Sequence, residues 1–212
     1  MIDFDRAGRN LTALLILTFK KDGGDWKRYL DRSIEDVIRS FAAIILCTPF
    51  VALMIVISRR AAIAAPNYDS SIYTKAPASL IYAGDLLAWG LIWGASLLVL
   101  ISIARGLKAD AKAPQLIIAY NWAQLLGAAL LFFPAIAFIA TLNYEIMLMV
   151  QMVVLIINLI VLWRILRILL TIDTGSAIAI ISGLVIIEMG VFTVINEVTI
   201  RTSQLLFEVN AG

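Results

Sequence analysis

The sequence predicts an all-α, polytopic membrane protein: a transmembrane bundle of five spans, preceded by a cytoplasmic pair of amphipathic helices. Three observations predict it. Of the 212 residues, 62% are hydrophobic and 15% charged, against roughly 45–50% and about 25% in globular proteins. The mean hydropathy is +0.95, more apolar surface than a single soluble core of this length can hide. The apolar residues are also gathered into stretches of the ~20 residues needed to cross a hydrocarbon core of ~30 Å.

Residues 1–39 precede the membrane domain, 40–212. Phe4, Ala7, Leu11, Leu14, Leu15 and Thr18 recur at helical spacing, and Trp26, Tyr29, Leu30, Ile34, Val37 and Ile38 do so again. Gly23-Gly24 separates the two patterns, and Asp25 is placed to cap the second helix. Lys27–Asp31, Arg32–Asp36 and Glu35–Arg39 are opposite charges four residues apart, each pair worth ~0.2–0.5 kcal/mol. Lys20, Lys21, Trp26, Lys27, Arg28 and Arg32 form a candidate surface for anionic lipid or a soluble partner. The plainer reading is a solvated lead-in that orients the first span. Arg6 and Arg9 before "LTALLILTF" imitate a signal peptide. "KKDGGD" follows where small cleavage-site residues are needed, so the segment is expected to be retained. "KKDGGD" also lacks the glycine spacing and Lys-Ser/Thr ending of a phosphate-binding loop.

The five spans are expected at about 40–58, 83–104, 116–140, 144–163 and 176–195. Arg59 and Arg60 close the first, Arg105 the second, and Arg164 and Arg167 the fourth. Pro49 and Pro134 should kink the first and third spans, a distortion that neighbouring helices tolerate. "TLN" alone joins the third and fourth, which makes them a tight helical hairpin. The 61–82 connection carries Pro66, Pro77 and the tyrosines 68, 73 and 82, and reads as an interfacial loop.

Basic residues set an orientation. Arg6, Arg9, Lys20, Lys21, Lys27, Arg28, Arg32, Arg39, Arg105, Lys108, Lys112, Arg164 and Arg167 fall on one side, and Arg59, Arg60, Lys75 and Arg201 on the other. The bias places the N-terminus in the cytoplasm and the C-terminus outside, consistent with a bacterial inner membrane protein.

Polar residues at membrane depth are the functional candidates. Glu188 lies about twelve residues into the fifth span, where a carboxylate costs ~2.5–3.5 kcal/mol on insertion scales. It should be protonated, paired or hydrated, with Asn158 or Gln151 of the fourth span as partners. Asp85 lies one turn into the second span from the outside, either as a snorkelling end residue or as a buried polar contact. Asn121 and Gln124 share a face of the third span and are expected to hold helices together. Tyr120 and Trp122 beside them read as aromatic-belt residues. Gly90 and Gly94 match the small-residue contact motif, and Ala179 and Gly183 offer a similar face.

Histidine is absent and there is one cysteine, Cys47, in an apolar run where it reads as a small buried hydrophobe. No catalytic constellation, cofactor site or metal site is expected. The net charge of +2 does not point to nucleic acid. Expected partners are the lipid bilayer and other membrane subunits, or further copies of the chain.

Five spans, this orientation, the closely spaced later helices and "AYNWAQLLGAALLFFP" at the third span resemble the Yip-domain family over about Val37–Ile195. Eukaryotic members of that family are membrane proteins that interact with Rab GTPases, and they carry an Asp-Leu-x-Gly-Pro signature. Here "GDLLAWG" at 84–90 is only an echo of it. The resemblance implies a membrane-shaping or trafficking scaffold without known catalytic residues. A non-enzymatic scaffold or accessory subunit is therefore the expected function. The alternative is a small transporter or channel component using Glu188 and Asp85. An enzyme acting on lipid, whose nucleophile would have no histidine to assist it, is the weakest reading.

Overall fold

The computed structural model describes residues 4–20, 33–64 and 77–210. Among these residues the secondary structure is helical, with no strand. The helices are α1 (Phe4–Phe19), α2 (Ile34–Ser40), α3 (Ala42–Ala64), α4 (Ala78–Gly106), α5 (Ala113–Leu130), α6 (Phe132–Thr141), α7 (Tyr144–Leu170) and α8 (Thr174–Asn210). A 3₁₀ turn, Asp110–Lys112, leads into α5. Five helical stretches, 34–63, 78–106, 110–141, 144–170 and 174–205, are long and apolar enough to cross a membrane.

The helices overrun the apolar spans read from the sequence. A run of about 20 residues suffices to cross lipid, whereas α8 has 37 residues, about 55 Å at 1.5 Å per residue. Its last turns carry the Glu197–Arg201 ion pair at 2.8 Å. The arginines expected to close spans are also helical. Arg59 and Arg60 lie inside α3, and Arg164 and Arg167 lie inside α7. The Arg167 guanidinium sits 5.2 Å from the centre of the Trp163 ring, so a charge near the helix end keeps an apolar contact for its stem.

The two prolines behave differently. Proline 134 has no N–H for the Leu130 carbonyl four residues earlier, and the helix breaks there, at Leu131, between α5 and α6. The Leu131 N–H is shared between the Gly127 and Ala128 carbonyls, at 3.3 and 3.1 Å. Proline 49, by contrast, is carried within an uninterrupted α3. The "TLN" hairpin is as expected: α6 packs on α7. Leu142 caps α6 in the left-handed conformation (φ 51°), with its N–H on the Phe138 carbonyl at 2.7 Å. Asn143 then caps α7, its side-chain oxygen accepting from the Glu145 and Ile146 N–H groups at 2.8 and 3.2 Å.

Asp173 starts α8 in the same way. Its carboxylate accepts the Ser176 N–H at 3.0 Å and the Ser176 hydroxyl at 2.6 Å. These bonds hold the exposed Asp173 carboxyl below the usual carboxylate range.

Helix α5 is the centre of the bundle. It packs against α1, α2, α3, α4, α6 and α7, while α4 and α8 pair along their lengths. This arrangement corrects two readings. Tyr120 and Trp122 are core residues, 2% and 3% exposed, and not belt residues. The apolar side of α1 is turned to the bundle: Ala13 and Leu14 belong to the same core cluster as Leu116, Ile165 and Leu169. Leu15, read as part of that apolar side, is exposed. Helix α2 ends at Ser40, and a single turn at Phe41 joins it to α3.

At the start of α2, Ser33 and Asp36 form a reciprocal cap. The Asp36 N–H donates to Ser33 Oγ at 3.1 Å, and the Ser33 hydroxyl donates to Asp36 Oδ2 at 3.0 Å. Glu35 and Arg39 pair at the surface as their spacing predicts. The expected Asp25 cap, the Gly23-Gly24 break and the Arg32–Asp36 and Lys27–Asp31 pairs involve residues outside those described. The same is true of Tyr68 and Tyr73.

Candidate functional site

Two polar sites lie within the apolar bundle. The first is a hydrogen-bonded network centred on Asn121 of α5, which is fully buried. Trp93 Nε1 of α4 donates to Asn121 Oδ1 at 2.8 Å, and Asn121 Nδ2 donates to Ser40 Oγ of α2 at 2.8 Å. The Ser40 hydroxyl passes its proton donation on to the Val37 carbonyl at 2.7 Å. The indole N–H can only donate, so it fixes which end of the amide faces Trp93. Three helices are thus tied at one point. Trp93 also meets Trp89 and Tyr120 edge-to-face, with ring centres 5.2 and 6.4 Å apart.

A second polar contact lies near this network, between α4 and α8. Tyr120 itself is buried, Gln124 is half-buried, and the Ser96 hydroxyl donates to Glu188 Oε1 of α8 at 3.5 Å. Glu188 therefore finds its partner on α4, and not at Asn158 or Gln151 of the fourth span. Asn158 instead packs against Gly127 of α5, where an added Cβ would lie 2.9 Å from its Oδ1.

The second site is a half-open cavity of about 440 Å³ between α3, α4, α7 and α8, next to the break at Leu131. Val51, Ile55, Ile92, Met147, Leu148 and Phe192 supply apolar wall. Ser58, Arg59, Asp85, Tyr144 and Gln151 supply polar groups. The Arg59 charge acts on the Asp85 carboxyl, and its guanidinium lies 5.3 Å from the centre of the Tyr82 ring. Asp85 is thus a cavity residue, half-buried on the inner side of its helix.

The two intramembrane carboxylates belong to different sites. Ser96 marks the level of Glu188 on α4, and Asp85 lies eleven residues before it, about 16 Å along the axis. Glu188 does not line the cavity. Among the described residues nothing packs against Gly90, Gly94 or Gly183. The close approaches occur at Gly127 against Asn158 and at Gly84 against Thr199 of α8. Lys20 is exposed, and its carbonyl accepts from Arg164 Nη2. Lys21, Trp26, Lys27, Arg28 and Arg32 are outside the described residues.

Sequence reasoning missed Ser40, Trp93, Ser96, Arg59 and the two packed glycines. Ser40 looked like the first residue of a span, and Arg59 like its closing charge. Trp93 and Ser96 stand within "GLIWGAS", where only the glycines drew notice. Among the described residues no group of three or more His, Cys, Asp or Glu is placed to hold a metal ion. Comparison of the chain with protein-family models, curated proteins and solved structures finds no match.

Proposed function

We propose that this chain is a non-enzymatic integral membrane scaffold or accessory subunit of a larger membrane assembly, of the membrane-organising kind that its Yip-like features imply. The observation that supports it most is the use made of Asn121. Both ends of its amide are taken up in joining α4, α5 and α2. This fully buried polar side chain thus serves architecture. Glu188 is drawn into the α4–α8 contact through Ser96 in the same manner.

On this reading the N-terminus is cytoplasmic, the C-terminus is outside, and the membrane is a bacterial inner membrane. Gly90 and Gly94 present a small-residue face that meets nothing among the described residues, suited to a helix of another subunit or copy. Extraction in mild detergent followed by native mass spectrometry tests the assembly. A specific oligomer or complex is expected, and it should be lost on combining Gly90→Leu with Gly94→Leu while the melting temperature is kept. A monodisperse wild-type monomer without partner overturns the proposal. Reporter fusions at the C-terminus test the orientation separately, and a cytoplasmic C-terminus refutes it.

A further inference from the structure

The cavity beside Asp85 has a shape and a charge pattern that the scaffold role does not use. Its volume, about 440 Å³, falls within the ~300–1,000 Å³ usual for small-molecule sites. Its chemistry changes along its depth. Arg59, Asp85 and Tyr144 stand toward the end of the bundle where α3 finishes and α4 and α7 begin. Val51 and Ile92 lie deeper, eight residues from Arg59 and seven from Asp85, or about 12 and 10 Å along the helices. A charged mouth over an apolar interior fits an amphiphile. Among the described residues the mouth carries one cation, Arg59, and one anion, Asp85, so a headgroup bearing both signs complements them better than an anionic or a neutral one.

We propose that this cavity binds one acyl chain of a zwitterionic phospholipid whose headgroup carries a primary ammonium, with Arg59 facing the phosphate and Asp85 the ammonium. The guanidinium fork matches two phosphate oxygens. The Asp85 carboxylate accepts hydrogen bonds from a primary ammonium, which a trimethylated ammonium cannot donate. Tyr144 and Ser58 add hydroxyl groups at the same level, and the second acyl chain stays in the surrounding bilayer. The site stands on the cavity alone, whether or not the chain assembles with others.

Native mass spectrometry of the purified full chain, offered an equimolar mixture of phosphatidylethanolamine, phosphatidylcholine and phosphatidylglycerol, tests this. The wild type should retain one phosphatidylethanolamine about tenfold better than either competitor. Asp85→Asn is nearly isosteric and should lose that preference and turn toward phosphatidylglycerol, since Arg59 remains. Leu148→Trp, placed in the half-exposed wall, should lower retention of all three without shifting the melting temperature. Equal retention of the three lipids by the wild type overturns the proposal. So does a preference for phosphatidylcholine, which would point to the aromatic rings as the cation site, and so does an unaltered preference in a folded Asp85→Asn variant.

Discussion

Removing Asn121 should weaken the bundle in a way that hydrogen bonding, and not packing alone, accounts for. Asn121→Ala deletes two interhelical hydrogen bonds, each 2.8 Å long. Such bonds average ~0.6 kcal/mol in membrane bundles, with a maximum near 1.7 kcal/mol, so the pair is worth about 1.2 kcal/mol. Trp93 Nε1 is then left as a buried donor with no acceptor, which adds a penalty of about 1 kcal/mol at the low end of the usual range. Ser40 loses less, because its hydroxyl still reaches the Val37 carbonyl. The sum is about 2 kcal/mol, or roughly a thirtyfold change in the folding equilibrium.

Asn121→Leu separates the contributions, since it keeps most of the volume while removing the amide. The assay is reversible unfolding in mixed micelles, followed by circular dichroism. Combining Asn121→Leu with Trp93→Phe completes a double-mutant cycle whose coupling should be about 0.6 kcal/mol and should not exceed about 1.7 kcal/mol. If the two substitutions add to within ~0.3 kcal/mol, the indole–amide bond contributes nothing and the reasoning fails. A stability unchanged by Asn121→Leu would refute the whole network as a tie between helices.

Gly127→Ala should cost about 1–3 kcal/mol, because the new methyl would lie 2.9 to 3.2 Å from three atoms of the Asn158 side chain. Adding Asn158→Ala should recover most of that loss in the same unfolding assay. Leu142→Gly should stabilise the hairpin by up to about 1 kcal/mol, since a non-glycine residue pays ~1–2 kcal/mol in the left-handed region and glycine returns part of that as chain entropy. A lower midpoint for Leu142→Gly would mean that the exposed leucine side chain matters more than its φ of 51°. For Asp173 the folded carboxyl titrates below its unfolded value. The cap therefore stabilises at pH above about 3.8 and is lost as pH falls through the lowered value. Protection of the amides in the first turn of α8, taken relative to their intrinsic exchange rates, should fall with acid in the wild type. In Asp173→Asn, which keeps an acceptor but has no titrating proton, that protection should stay level, and an equal acid response of protection in both would rule the cap out.

How much of this was legible depended on whether the signal was local. The number of spans, the α6–α7 hairpin at "TLN" and the break upstream of Pro134 follow from chain length, loop length and the missing N–H of proline. Each of these acts within a few residues. The face that each span turns inward is another matter. In water an amphipathic stripe marks the buried side of a helix, but in a bilayer the lipid-facing side is as apolar as the core. Periodicity therefore could not tell Gly90 and Gly94, against which no described residue packs, from Gly84 and Gly127, which meet other helices. Nor could it name the partners of Asn121, which lie 81 and 28 residues away.

Polarity was the one label that survived immersion in apolar sequence. Asn121, Gln124, Asp85 and Glu188 could be picked out because each is expensive in hydrocarbon wherever it points. Expense identifies a residue that must be accommodated; only the fold says by what. Asn121 and Glu188 are accommodated by other helices, through Trp93, Ser40 and Ser96. Asp85 is accommodated beside a cavity, under the charge of Arg59. That difference separates the two kinds of polar residue in this chain. A group satisfied by the bundle holds it together, whereas a group satisfied next to empty space can exchange its partner for a ligand. Substituting Glu188→Gln should therefore act on stability alone, and Asp85→Asn on what the protein retains from the bilayer.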